Sequence, residues 1–193
     1  MIYLMDEPLT ETSHSRFILD IIKQHTSIPI TLIETPQKPL LNELYQIVED
    51  LSSKVTPSDV VLCAWLVPGD CRVDQVFEDL CDRCWVVAAA GNFNKPIEDY
   101  SPARAEKVIT VGCLNKSLVK ATLSNYSETK KIVWVPGTNY NVGWKNASGT
   151  SVSAALYTAF LAEAIDKQDY SVVHALLEQQ KQQVSDEIKA NDK

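Results

Sequence analysis

The stretch "DVVLCAWLV", Asp59 to Val67, decides how the chain is built. It opens on an aspartate, runs into Pro68-Gly69, and is apolar throughout with no alternation. A strand solvated on one side alternates polar and apolar residues, so this run reads as a strand covered on both faces. "WVVAAA" (Trp85 to Ala90) repeats the pattern, and "KVITVGCL" (Lys107 to Leu114) and "KIVWVPG" (Lys131 to Gly137) follow as strands. Towards the N-terminus, Ile2 to Met5 is a short apolar strand, and "IPITLIE" (Ile28 to Glu34) is another, bounded by prolines.

Between these runs the periodicity becomes helical. Ser15 to Gln24 places Phe17, Ile18, Ile21 and Ile22 on one face, and Leu40 to Val55 and Val73 to Cys84 are further amphipathic helices. "NASGTSVSAALYTAFLAEAI" (Asn146 to Ile165) ends in a helix from Ser151 to Ile165 that is small or apolar on nearly every side. Strands alternating with helices predict a three-layer α/β/α fold with a mostly parallel, doubly wound sheet and right-handed crossovers. No linker, low-complexity tract or repeat divides the chain. One domain is expected over residues 1–168, with a helical tail over 169–193 that runs from Ser171 to about Ile188 and carries only a thin apolar stripe.

Composition narrows the function. The chain has 193 residues, an apolar fraction of 45% and a net charge of −7. That balance argues against nucleic acid or an anionic membrane as the main partner, since both select a basic footprint. There is no run of about 18 apolar residues, and "MIYLMDEPLT" lacks a basic and then apolar leader, so neither a membrane span nor a signal peptide is expected. Cys63, Cys71, Cys81, Cys84 and Cys113 are odd in number and lie mostly in apolar segments, which reads as free thiols in a reducing, cytoplasmic setting. Cys81-Asp82-Arg83-Cys84 has the spacing of half a zinc site, but no second pair or nearby histidine completes four ligands, so no metal is expected.

In doubly wound folds ligands gather beyond the carboxyl ends of the strands. Asp6 follows the first strand, His14 stands at the start of the next helix, Asn92 closes "VVAAAGN", and Ser151 opens the apolar helix. Acyl hydrolysis needs a nucleophilic hydroxyl, a base, a carboxylate to orient that base, and donors for the oxyanion. Each type appears once at such a place. Each also has an ordinary role: Ser151 as a helix cap, Asn92 in a Gly-Asn turn, Asp6 as a cap and His14 at the surface. His25 at the far end of its helix and His174 in the tail read as structural or solvated.

The sequence resembles the subtilisin-like serine proteases, the subtilases, from about Ile2 to Ile165. "SGTSVSAA" resembles the family's Gly-Thr-Ser-Met-Ala-x-Pro motif, and "VVAAAGN" the segment ending in its oxyanion-hole asparagine. "YSPARAEKVITVGCL", "ATLSNYS" and "VWVPG" are similar to three further family stretches, in the family's order. "IYLMDEP" and "TSHSRFILDII" match the aspartate and histidine segments more weakly. The resemblance implies a serine endopeptidase acting on protein or peptide substrates, with a triad of Asp6, His14 and Ser151, an oxyanion hole at Asn92, and no cofactor. It also leaves an alternative: a catalytically silent module serving as a binding or regulatory subunit with a protein partner. A nucleotide-binding fold would need a glycine-rich loop after the first strand, and "MDEPLTETSH" has none.

The departures from the family are specific. Only eight positions separate Asp6 from His14, where the family inserts a loop and a hairpin strand. Ser15 and Arg16 replace the usual Gly-Thr-His after the histidine, and Ala155 replaces the motif's proline. Where the family's substrate-binding strand ends in Ser-x-Gly, this chain has Ala64, Trp65 and Leu66, so bulk is expected in the primary specificity pocket. Nothing reads as a calcium-binding acidic loop or a separate propeptide, which makes the expected protein a stripped-down intracellular subtilase.

Overall fold

A computed structural model of the chain describes residues 1–36 and 40–171. Its centre is a six-stranded sheet in the order β2-β1-β3-β5-β7-β8. The strands are β1 (Ile2–Asp6), β2 (Ile30–Glu34), β3 (Val60–Cys63), β5 (Trp85–Ala89), β7 (Ile109–Leu114) and β8 (Val133–Pro136). Every pairing in this sheet is parallel. Alternate residues of each strand enter different cores. Ile2, Leu4, Val60, Leu62, Val87 and Ala89 pack with α1 (His14–His25) and α4 (Thr150–Lys167). Tyr3, Met5, Val61, Cys63, Val86 and Ala88 pack with α2 (Leu41–Ser52) and α3 (Cys71–Cys81). This is the three-layer α/β/α architecture, and the unalternating apolar runs are its consequence.

The winding reverses beside β1. From there α1 leads outward to β2 on one face, while α2 returns on the other face to β3, so β1 and β3 are neighbours whose connections diverge. A crevice at such a reversal is where doubly wound sheets hold ligands.

Several boundaries differ from the sequence reading. The run Asp59 to Val67 is not one strand. Its sheet pairing with β1 and β5 ends at Cys63, and after Ala64–Leu66 the chain forms β4 (Val67–Pro68), antiparallel to β6 (Tyr100–Ser101). Val67 therefore leaves the central sheet even though its side chain is apolar. The helix expected from Val73 begins at Cys71, because the Asp70 carboxylate accepts the Arg72 N–H at 2.9 Å and caps the first turn. The helix expected over Leu40 to Val55 is shorter at both ends, with the Glu43 carboxylate accepting the Leu40 N–H at 2.9 Å. Apart from Ser171, the helical tail expected from Ser171 to Ile188, with His174, lies outside the described residues. Among the described residues no helix is long and apolar enough to cross a membrane.

All five cysteines are free thiols, and Cys71 alone among them is exposed. Burial pushes the thiols of Cys81 and Cys84 up to about 12, and that of Cys63 well above its ordinary value. Since thiolates are the reactive form, brief iodoacetamide treatment of the native protein at pH 8 should modify Cys71 first. The others should react only on unfolding, as peptide mass mapping would report; early labelling of Cys84 would contradict this packing.

α4 is buried along nearly its whole length, and its first turn is fitted closely to the end of β8. The Gly149 N–H donates to the Gly137 carbonyl at 3.1 Å, and the Ser153 hydroxyl donates to the Val135 carbonyl at 2.8 Å. A Cβ on Gly137 would collide with Ser153 Oγ and lie 2.9 Å from the Gly149 carbonyl oxygen. Gly137→Ala is therefore expected to cost about 1–3 kcal/mol, measured by the denaturant midpoint. Adding Ser153→Ala should recover part of that loss by removing the atom it strikes, a non-additivity that independent sites would not show.

Candidate active site

Asp6 ends β1 at the reversal point, with its side chain 5% exposed. Its Oδ1 accepts the Glu7 N–H at 2.8 Å, which turns Oδ2 towards His14 Nδ1 at 2.7 Å. His14 is the first residue of α1, reached by a short loop braced at both ends. The Glu7 carboxylate accepts the His14 N–H at 2.6 Å, the Thr10 N–H donates to Ser13 Oγ at 3.0 Å, and Ser13 caps the helix by accepting the Arg16 N–H at 3.2 Å. The eight-position step between Asp6 and His14 thus closes without the family's inserted hairpin.

Ser151 comes from 137 positions further on, in the first turn of α4, and its Oγ lies 3.0 Å from His14 Nε2. With Asp6 accepting from Nδ1–H, a neutral imidazole presents its Nε2 lone pair to the serine hydroxyl. Ser151 is 9% exposed, and its own N–H belongs to the helix-start donors that have no carbonyl behind them in the helix. The helix dipole makes this end favourable for negative charge.

Asn92 faces the same spot from the end of β5. Its Oδ1 accepts the Thr150 N–H at 2.8 Å and the Thr150 hydroxyl at 3.1 Å, which leaves Nδ2 as the outward donor. A Cβ on Gly149 would lie 3.1 Å from Asn92 Nδ2 and 3.5 Å from Ser151 Oγ. The bare glycine keeps open the space between amide and hydroxyl. An arrangement of this kind can pass a proton from hydroxyl to imidazole while donors meet a developing oxyanion.

Ala64, Trp65 and Leu66 separate. All three border a cleft of 420 Å³ beside Asp6, Glu7 and His14. The Trp65 ring meets Phe77 edge-on at 6.0 Å, against the α2–α3 core. Leu66 Cδ2 lies against Gly91. His25 sits at the far end of α1 against the Tyr140 hydroxyl and the Phe160 ring, and burial lowers its pKa. Among the described residues no three His, Cys, Asp or Glu side chains are grouped to hold a metal ion.

Comparison with known proteins gives the family to which this doubly wound fold belongs. The profile of the Subtilase family matches residues 66–189, and the chain belongs to that family. Among curated proteins it is similar to Subtilisin-like protease 2 of Pseudogymnoascus destructans, 36% identical over 80 residues, which are 40% of this chain and 20% of that protein. It is also similar to the Subtilisin-like serine protease pepC of Aspergillus niger, 38% identical over 90 residues, 43% of this chain and 17% of that protein. The chain thus spans about a fifth of the length of those relatives. Among solved structures, a cold adapted subtilisin-like serine proteinase superposes with a TM-score of 0.70 at 16% identity, covering 87% of this chain and 76% of its own. At that identity the likeness establishes the fold.

Two residues that brace the site lie inside stretches quoted from the sequence but are given no role there. Asn125, fully buried, accepts the N–H groups of Phe93 and Lys95 through Oδ1, each at 3.0 Å, and donates to the Ala90 carbonyl at 2.9 Å. Thr150 Oγ1, also fully buried, accepts the Gly91 N–H at 2.9 Å while donating to Asn92. Their neighbours in sequence give no hint of these bonds, which span 30 to 35 positions for Asn125 and 58 to 59 for Thr150. Thr150→Val keeps the shape but strands the Gly91 N–H. It is expected to cost about 1–3 kcal/mol, while Thr150→Ser, which keeps the hydroxyl, should cost less. Equal losses for the two in denaturant titrations would mean that the methyl, not the hydrogen bonds, carries the stability.

Proposed function

We propose that the chain is a serine endopeptidase that hydrolyses peptide bonds. The observation that carries the reading is the unbroken line from Asp6 Oδ2 through the His14 imidazole to Ser151 Oγ, at 2.7 and 3.0 Å. His14 takes the serine proton as Oγ attacks the acyl carbon, and Asp6 holds the ring and stabilises the imidazolium. The oxyanion points at Asn92 Nδ2 and the Ser151 N–H. The imidazolium then protonates the leaving amine, and water, deprotonated by the same imidazole, releases the acyl group from Ser151. Family membership supports protein or peptide substrates. A reducing, cytoplasmic setting belongs to the same reading and is supported by the five free thiols.

The test is covalent. A fluorophosphonate probe should label the wild-type chain, Ser151→Ala should abolish labelling, and His14→Ala should slow it strongly. Asn92→Ala should lower turnover by about 10²–10³-fold, the scale established for one oxyanion donor in a subtilisin, with little change in KM. A folded wild-type chain that takes no label at Ser151 would overturn the assignment in favour of a silent binding module.

A further inference from the structure

We propose that the chain cleaves after glycine or alanine, and that Leu66 is the residue that excludes larger side chains. The proposal rests on the peptidase reading above and adds the substrate class. When Ser151 Oγ has attacked, the reacting carbon carries three other groups. Its oxygen faces Asn92 Nδ2, and its leaving nitrogen must lie within reach of His14 Nε2, the atom that protonates it. The acyl residue takes the remaining direction, bounded by the end of β5 and the segment that follows β3.

Those two boundaries touch. A Cβ on Gly91 would collide with the buried Asn125 amide and would fall 2.6 Å from Leu66 Cδ2, so the leucine methyl lies against this glycine. Gly91 cannot retreat. Its N–H is held by Thr150 Oγ1 at 2.9 Å, its carbonyl accepts the Asn125 N–H at 2.9 Å, and its φ of 103° is one that side-chain-bearing residues rarely adopt. The leucine methyl therefore covers the backbone one residue before the oxyanion amide, where the side chain of an acyl residue would be received.

The backbone next to Leu66 is fixed. It is followed directly by β4, whose Val67 and Pro68 are tied in register to Ser101 and Tyr100. Tyr100 is in turn stacked on Phe93, with ring centroids 5.4 Å apart and planes 19° apart. The open 420 Å³ cleft lies on the imidazole side of Leu66, against Asp6, Glu7, His14 and Thr35. It can take residues further from the cut, whereas the position next to the cut meets a leucine. Glycine or alanine fits there with no movement of the wall.

The experiment uses the full chain and pairs a fluorophosphonate label with hydrolysis of N-acyl-alanine and N-acyl-phenylalanine p-nitrophenyl esters. The wild type should prefer the alanine ester by about 100-fold or more in kcat/KM, in line with the selectivity that a filled apolar pocket gives. Leu66→Gly should shift the phenylalanine-to-alanine ratio upward by about tenfold or more, with Leu66→Ala intermediate. Thermal melting verifies folding, and Leu66→Ala together with the wild-type ester ratio carries the test should the glycine variant not fold. A wild type that is labelled at Ser151 yet hydrolyses both esters equally, or a folded Leu66 variant with an unchanged ratio, would overturn this inference and leave the peptidase reading standing. A wild type that neither takes label nor cleaves either ester would overturn both.

Discussion

The first turn of α4 is gripped from two strand ends at once, and the rest of the site is built on that grip. From β8, the Gly137 carbonyl accepts the Gly149 N–H and the Val135 carbonyl accepts the Ser153 hydroxyl. From β5, the Asn92 side chain accepts both hydrogens that Thr150 can offer it. Ser151 lies between these holds, so its position is set by groups that belong to neither the serine nor its imidazole partner. Helix-start donors are normally satisfied by a capping side chain of the helix's own chain segment. Here the residue before α4 is Gly149, which has no side chain to cap with, and the cap is supplied from 58 positions earlier by Asn92. One amide thereby closes the helix and points its remaining donor into the site.

The histidine is positioned by a different economy. A connection of eight positions between Asp6 and His14 leaves few conformations, and the side chains of Glu7 and Ser13 fix the one it adopts. Ser13 is both the cap of α1 and the acceptor of the Thr10 N–H, and Glu7 holds the backbone of His14 itself. A longer insertion would raise the closure entropy only slowly, so length alone does not explain the benefit. What the short step provides is a histidine at the first position of a packed helix, whose Phe17, Ile18, Ile21 and Ile22 are buried against the same core that α4 enters. The distance between base and nucleophile is then set by helix packing and not by a free loop.

Much of this was legible in the sequence because burial writes itself into composition. Strands covered on both faces cannot hide their lack of alternation, and α4 cannot hide its lack of a polar face. The four candidate residues stand out in the sequence as chemistry at strand ends and helix starts, and the structure brings Asp6, His14 and Ser151 within hydrogen-bond reach, with Asn92 beside them. What was not legible depends on partners distant in the chain. Trp65, Leu66 and Val67 are as apolar as Val60 to Cys63, so no property of theirs marks the place where β3 stops. Its last registered pairs join Cys63 to Met5 on one side and to Ala88 on the other, although β1 and β5 each pair one residue further with their other neighbours. Likewise Trp65 and Leu66 are adjacent and both large, yet one packs on Phe77 and the other lies against Gly91. Asn125 and Thr150 look like loop and cap residues until their partners are in place.

The composition of β5 links packing to this network. Alanine is a poor strand former by propensity, yet three successive alanines, Ala88, Ala89 and Ala90, lead into Gly91. α4 presents Ala154, Ala155, Ala159 and Ala162 to the core it shares with Ala89, so small residues meet small residues and the helix approaches the sheet closely. Only at close approach can a backbone N–H of the strand's extension reach a side-chain oxygen in the helix's first turn, as Gly91 reaches Thr150 at 2.9 Å. Larger residues on either side would bury more apolar area and favour the core by roughly 0.8 kcal/mol per added CH₂. They would also hold the helix further from the strand, break the Gly91–Thr150 bond and release Asn92 from its anchor. The weak strand formers are therefore the condition for a polar network that a larger-residue core would stabilise less well and place less accurately.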